Sequence, residues 1–362
     1  MDNFKKELIL LNMVPGLGCI RLKALIDELG DPCNIFKAPV KKLKSIRGIS
    51  TQIAEAIKGA YSDYNVDKEA ELITRTGVKV ITLFDKEYPE CLKAIYDPPI
   101  LLYIKGDFRK EDELSVAIVG SRKCTYYGLS MAEKIASELV SHRIVIVSGL
   151  ARGIDTAAHK GAIKNKGRTI AVLGNGLSHV YPAENKELAE HISHNGILVS
   201  EFPMETKPYK QNFPRRNRII SALSKGVLVV EAAQRSGALI TADFALEQGR
   251  DVFAVPGMAD RFSSNGTNAL IKQGAKLVES ADDILEELGI GGGEPANKDT
   301  GLHPFADSCE ENIFNILSET PCDIDTIIAK LEMQAQQAKL MLLNMEMKGT
   351  IKQLPGKLYV RG

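Results

Sequence analysis

Asn212-Phe213-Pro214-Arg215-Arg216-Asn217-Arg218, followed by Ile219, Ile220 and Leu223 and then by Val227-Leu228-Val229-Val230, sets a basic helix start directly before a buried strand. Pro214 suits a first helical turn, where its missing N–H leaves nothing unbonded, and the three apolar residues supply a buried face. With Lys210, four cations and one aromatic fall between residues 210 and 218. Cations at a helix N-terminus oppose the macrodipole, so the cluster predicts an anionic partner there, phosphate first. Pairing of the arginines with nearby carboxylates is the plain alternative.

Reading outward, β-rich apolar runs alternate with helical patterns at Val116–Val119, Ile144–Val147, Thr169–Leu173, Ile197–Val199, Val227–Val230 and Val252–Val255. That rhythm predicts an α/β fold, a doubly wound parallel sheet covered on both faces. Val78–Leu83 and Leu101–Ile104, separated by Asp97-Pro98-Pro99, are expected to extend the sheet. The strands end in small or polar residues: Gly120-Ser121-Arg122, Ser148-Gly149-Leu150-Ala151-Arg152-Gly153, Gly174-Asn175-Gly176, Ser200-Glu201, Glu231-Ala232-Ala233 and Pro256-Gly257. Such ends line one edge of a doubly wound sheet, where ligands bind, and glycines let amides approach phosphate. No GxGxxG follows the first strand and no GxxxxGK[ST] occurs, so a dinucleotide cofactor and a P-loop are both disfavoured and no cofactor is expected.

The 362 residues include 46 basic and 46 acidic side chains, and 44% of the chain is hydrophobic, enough for two or three soluble domains. The zero net charge hides an asymmetry: residues 120–275 carry an excess of seven cations and residues 276–362 an excess of seven anions. An anionic ligand would meet the middle of the chain. No apolar run approaches the ~20 residues of a membrane span, and the N-terminus mixes charges where a signal peptide turns apolar, so a cytoplasmic address and no membrane are expected. Six cysteines without a CxxC pair or a histidine at ligand spacing read as reduced structural thiols, with no metal site.

Domain boundaries are expected at 1–75 (short helices with glycine turns), 76–288 (the α/β unit), 289–304 (a Gly/Pro-rich linker) and 305–362. Near the N-terminus, Val14-Pro15-Gly16-Leu17-Gly18 resembles a helix-hairpin-helix turn, with a poorer copy at Ile46-Arg47-Gly48-Ile49-Ser50; a structural or interaction role of the SAM-like type is favoured over DNA contact. The tail reads as helices at Glu310–Leu317, Ile324–Lys330 and Gln334–Met347, with strands around 354–358, a winged-helix order. Its recognition helix carries one cation between Met333 and Met341, so a protein-interaction or regulatory role is expected rather than major-groove readout.

Ala117-Ile118-Val119-Gly120-Ser121-Arg122, Ser148-Gly149-Leu150-Ala151-Arg152-Gly153-Ile154-Asp155, Phe213-Pro214-Arg215-Arg216-Asn217-Arg218-Ile219-Ile220 and Glu231-Ala232-Ala233-Gln234-Arg235-Ser236-Gly237-Ala238-Leu239-Ile240-Thr241-Ala242 together resemble the DNA-processing protein A family, also called Smf. The resemblance covers nearly the whole chain. It implies an extended Rossmann-like domain that binds single-stranded DNA, protects it and helps load a RecA-type recombinase in natural transformation, with a homodimer built through that domain and no catalysis. Carried onto this sequence, Ser121, Arg122, Lys210, Phe213, Arg215, Arg216 and Arg218 would line the DNA groove. The remaining candidates for that groove are Gly120, Gly149, Arg152, Gly153, Asn175, Asn217, Ser236, Gly237 and Thr241.

Phe213 is read as a base-stacking platform, its alternative being a core anchor, and Ser236 equally as an N-cap or a phosphate ligand. His159 and Lys160 are expected to face solvent, the alternative being contact with phosphate. The rival class is a Rossmann-like nucleotide phosphoribohydrolase, marked by PGGxGTxxE. This chain has only Pro256-Gly257-Met258 and Asn265-Gly266-Thr267-Asn268, without the following glutamate, and Glu201 and Glu231 are expected to pair with arginines.

Overall fold

Val116, Ala117, Ile118 and Val119 are buried along their whole run because helices cover both faces of the strand they form. A computed structural model describes residues 2–290, 308–317, 321–331, 333–347, 350–354, 356 and 358–361. Two compact units result, 1–124 with 128–293, and 125–127 with 294–362.

The first unit begins with six helices: α1 (Asn3–Met13), α2 (Cys19–Leu29), α3 (Pro32–Lys37), α4 (Val40–Lys44), α5 (Thr51–Asp63) and α6 (Val66–Thr76). Capping explains several starts: Asp2, Asp31, Ser50 and Asn65 each accept a hydrogen bond from an amide of the first turn. The chain then forms β1 (Lys79–Thr82), α7 (Glu90–Lys93) and β2 (Leu101–Lys105) before entering the alternating part.

That part runs β3 (Ser115–Val119), α8 (Tyr126–Ser141), β4 (Val145–Ser148), α9 (Ile154–Lys164), β5 (Thr169–Val172), α10 (Lys186–Asn195), β6 (Ile197–Ser200), α11 (Asn212–Ala222), β7 (Gly226–Val229), α12 (Gly237–Glu247), β8 (Asp251–Ala254), α13 (Asn265–Lys272), β9 (Lys276–Leu277) and α14 (Ala281–Glu287). The sheet order is β1-β2-β6-β5-β4-β3-β7-β8-β9. From β6 to β9 all neighbours are parallel, with Val116 opposite Ile146 on one side of β3 and Gly226 on the other; β2 pairs antiparallel with β6 and with β1. The chain therefore winds outward from β3 to β6, and α11 carries it back to β7. In such a sheet the crevice at the carboxyl ends beside the first strand is the usual ligand position.

The expected boundary near residue 75 is bridged by a common core. Leu8, Leu11, Leu22, Leu25 and Ile57 from the helices pack in one cluster with Val80, Leu101, Tyr103 and Met204. Each fully buried side chain of this size contributes about 1.5–3 kcal/mol, which fixes the helical layer on the sheet edge. Glu69 of α6 reinforces the join by accepting the Met204 amide at 2.7 Å.

The second unit contains α15 (Ser308–Ile316), β10 (Cys322–Asp323), α16 (Ile324–Leu331), α17 (Ala335–Met347), β11 (Ile351–Leu354) and β12 (Leu358–Arg361), with sheet order β10-β12-β11. Ile313, Leu317, Ile327, Leu342, Met345, Ile351 and Tyr359 form its core. Three helices followed by a hairpin give the winged-helix order. Of the expected linker 289–304, residues 291–304 lie outside the described residues, as do Pro355 and Lys357 of the wing.

Candidate nucleic-acid interface

The loops at the carboxyl ends of β3, β4 and β7 are tied to one another by their own backbone. Ser121 donates its amide to Glu231 O at 2.7 Å, and Ile154 donates to Ser121 O at 3.3 Å. Asp155, buried at the first turn of α9, accepts the amides of Gly149 and Ala151 at 3.1 and 3.3 Å. Amides expected to face phosphate are thus partly engaged inside the fold. Gly149 is buried, and a Cβ there would lie 2.1 Å from Arg216 Nη1, so its glycine identity serves a close internal approach. Gly153 begins α9 at φ +76°, and Gly120 packs against Ile154 and Glu231 O.

Above these loops lies a hollow bounded by Arg122, Gly149, Ala151, Arg152, Gly174, Tyr181, Pro182 and Phe213. Phe213 is half-buried against Gly174, where a Cβ would stand 2.8 Å from the ring. The exposed Arg122 places its guanidinium carbon 4.8 Å from the Phe213 centroid, within cation–π range, and Tyr181 approaches the same ring at 5.9 Å with a 43° tilt. Arg152 is exposed on the rim and holds Glu184 through two nitrogens. Lys210 is exposed on the turn preceding α11, whose N-cap residue Gln211 makes no capping hydrogen bond. Tyr181 and Pro182 lie five and six residues beyond Gly176, the last glycine of the loop after β5, where no apolar period or glycine marks them.

α11 divides its arginines between two surroundings. Arg215 is exposed, lies 5.3 Å over the Phe202 ring and reaches Glu201 at 3.7 Å. Arg216 and Arg218 are each 3% exposed; the structure corrects the expectation that Arg216 lines a surface groove, and Arg218 borders a cleft apart from the hollow. Arg216 passes under the strand ends and donates to Gly149 O at 2.6 Å and to Val172 O. Burial pulls its pKa down to about 10, with Asp155 acting the other way, while burial pushes the Asp155 carboxyl up against the pull of Arg216. Arg218 turns toward the N-terminal helices, bonding Glu201 at 2.5 Å and Asp97 at 2.9 Å. Carboxylate pairing, the plain alternative, holds for Arg218 and leaves Glu201 engaged as a structural acid.

Two other expected groove residues are interior. Asn175 is 1% exposed and braces the loop after β5 by donating to Gly176 O and His179 O at 2.9 and 2.6 Å. Thr241 is 1% exposed within α12. Ser236 caps α12, accepting the Ala238 amide at 3.3 Å, and Asn217 joins the two helix starts by donating to the exposed Gly237 O at 3.2 Å. His159 is fully buried rather than facing solvent, paired with Thr169 Oγ1 at 2.7 Å, and burial lowers its pKa to about 3; Lys160 is exposed.

The cysteines Cys19, Cys33, Cys91, Cys124 and Cys322 are free thiols. Glu7, Asp31 and Cys33 bring ligand atoms within 4.8 Å of one another, but Asp31 caps α3 and Lys37 hydrogen-bonds Cys33, so these groups already have partners. Among the described residues no helix is long and apolar enough to cross a membrane.

Residues 79–289 match the family model of the DNA recombination-mediator protein A, and residues 295–357 match that of the DprA winged helix domain. The chain is 51% identical over 213 residues to the DNA processing protein DprA of Bacillus subtilis, covering 59% of this chain and 72% of the relative. The X-ray structure of DNA processing protein A from Streptococcus pneumoniae superposes with a TM-score of 0.69 at 37% identity, covering 78% of this chain and 97% of that one. A second structure, of DNA processing protein A from Helicobacter pylori, described for its single-stranded DNA binding mode, gives a TM-score of 0.53 at 32% identity over 59% of this chain and 96% of that one. A family model spanning more than half the chain, on a fold shared with two solved members, places the protein in the DNA recombination-mediator protein A (DprA/Smf) family.

Proposed function

We propose that the Arg122–Phe213 hollow binds single-stranded DNA, and that the protein protects incoming strands and delivers them to a RecA-type recombinase in transformation or recombination. The carrying observation is the exposed guanidinium over a half-buried aromatic ring at the carboxyl edge of the sheet. Single-strand binders combine cations that track phosphates with rings on which bases stack, and this hollow offers both. Arg122 and Arg152 supply the cationic rim, Lys210 and Arg215 lie nearby before and within α11, and Ser121, Gly153, Ser236 and Gly237 lie on the adjoining loops. The Helicobacter pylori relative's described binding mode supports the reading.

In this reading the protein is a cytoplasmic binding protein without a catalytic step, assembling as a homodimer through the Rossmann-like domain. The winged-helix unit serves a partner protein: α17 exposes Leu340 and Leu343 at 61% and 53%, a surface better suited to apolar contact than to a phosphate backbone. The phosphoribohydrolase alternative is disfavoured by the pairing of Glu201 with Arg218, and release of free base from nucleoside monophosphates by the purified protein would revive it.

Binding of fluorescent oligo-dT, with duplex of the same length as competitor, tests the proposal. Single strand should win, and Arg122→Ala and Phe213→Ala should each weaken binding; equal affinity for duplex, or indifference to both changes, refutes it.

A further inference from the structure

The first residues of α11 face two depressions. Phe213 borders the hollow, while its neighbours Pro214 and Arg215 border a separate cleft of about 1370 Å³ between the helical layer and residues 201–218. Both hairpin turns singled out in the sequence, 14–18 and 47–48, line that cleft. Arg21 ties them together, donating to Gly16 O at 2.7 Å and to Gly48 O at 2.9 Å. Two tyrosines project at its edges, Tyr96 at 88% exposure and Tyr209 at 52%, beside the exposed cations Arg47, Lys207 and Arg215.

The floor carries an independent sign of a ligand. Arg218 and Glu201 both line the cleft, both are over nine-tenths buried, and each leaves one side-chain atom, Nη1 and Oε1, without a hydrogen-bond partner. The two groups are joined through their other atoms at 2.5 Å, and Glu201 Oε1 has the Arg215 guanidinium 3.7 Å away, beyond hydrogen-bond distance. A buried donor or acceptor costs about 1–3 kcal/mol unless something bonds it. With Asp97 and Glu201 balancing Arg218, the floor is unsuited to phosphate. It fits a nucleobase edge, which presents a donor next to an acceptor. Glu205, the exposed acid of the lining, is engaged by Lys68 at 2.6 Å.

We propose that this cleft receives the same single strand as it leaves Phe213, so that the track crosses the start of α11 and continues toward the hairpin turns. Bases stack on Tyr209 and Tyr96, one base edge meets Arg218 and Glu201, and Arg47, Lys207 and Arg215 take phosphates. The inference rests on the single-strand reading of the Arg122–Phe213 hollow.

The test uses the full-length chain and two oligo-dT probes, one of about six nucleotides and one of about twenty, a range bracketing typical single-strand site sizes. Because both tyrosines are exposed, the double variant Tyr96→Ala/Tyr209→Ala should fold normally. It should bind the long probe at least about tenfold more weakly and the short probe as the wild type does. Arg122→Ala should weaken both. If the double variant holds the long probe as tightly as wild type while Arg122→Ala loses both, the cleft is not part of the track and the hollow still is. If Arg122→Ala changes neither, the single-strand reading fails and this inference with it. Photo-crosslinking of 5-bromouracil placed along the long probe should label Tyr209 or Tyr96; labelling confined to Phe213 and Tyr181 would count against the cleft.

Discussion

Two faces of one helix start, seven residues long, have opposite electrostatic fates. On the outward face Arg215 stays in solvent, and Phe213 receives Arg122 from the neighbouring loop. On the inward face Arg216 and Arg218 are as buried as core leucines and hold the fold by bonding carbonyls and carboxylates. The difference teaches that a basic cluster is no measure of ligand charge: half of this one organises the loops against which the other half is displayed. In the proposed reading Arg216 acts on DNA only by positioning, whereas Arg122 and Arg215 act by contact.

The contrast can be broken most severely on the inward face. Arg216→Ala removes the partner of two buried carbonyls and the cation nearest Asp155, and should cost about 3–5 kcal/mol in urea unfolding. A stability within ~0.5 kcal/mol of wild type would show that Arg216 is not structural. The pH dependence of stability probes the same interior. His159 stays neutral down to about pH 3 in the fold, against an ordinary value of 6.5. The unfolded chain therefore takes up this proton first, and stability falls as pH drops below 6.5, by about 1.4 kcal/mol per unit until the folded group titrates. Relative to wild type, His159→Gln should flatten that limb; an identical slope would place the proton uptake elsewhere.

Outward-face changes should act on binding instead. Phe213→Ala should lose about 1–3 kcal/mol of oligo-dT affinity, the worth of one stacked base, while a larger fall in stability than in affinity would make Phe213 a core anchor. Smallest is Ser236→Ala, expected to cost about 1 kcal/mol of stability through the α12 cap and little binding. A binding loss exceeding the stability loss would restore Ser236 as a phosphate ligand.

Much of this was legible in sequence. The parallel strands announced themselves because strands covered on both faces are continuously apolar, whereas β9, two residues with an exposed Leu277, carries no such run. The burial of Arg216 was readable too: it lies three and four positions before Ile219 and Ile220, on their face of the helix. His159 follows the same rule, adjacent to Ala158 and three before Ala162 on the buried face of α9. Charged side chains are rarely buried unless paired, and here the helical period outweighs that tendency. Arg218 was not readable in this way, because what buries it includes Asp97 and Cys19, brought in by tertiary packing of segments far away in the chain.

The most direct test is the salt dependence of oligo-dT binding by wild type and Arg122→Ala, measured together with thermal stability. The account predicts an unchanged unfolding midpoint, weaker binding and a log–log salt slope reduced by about 0.7, the loss of one phosphate contact to a single strand. An unchanged slope and affinity in Arg122→Ala would contradict it.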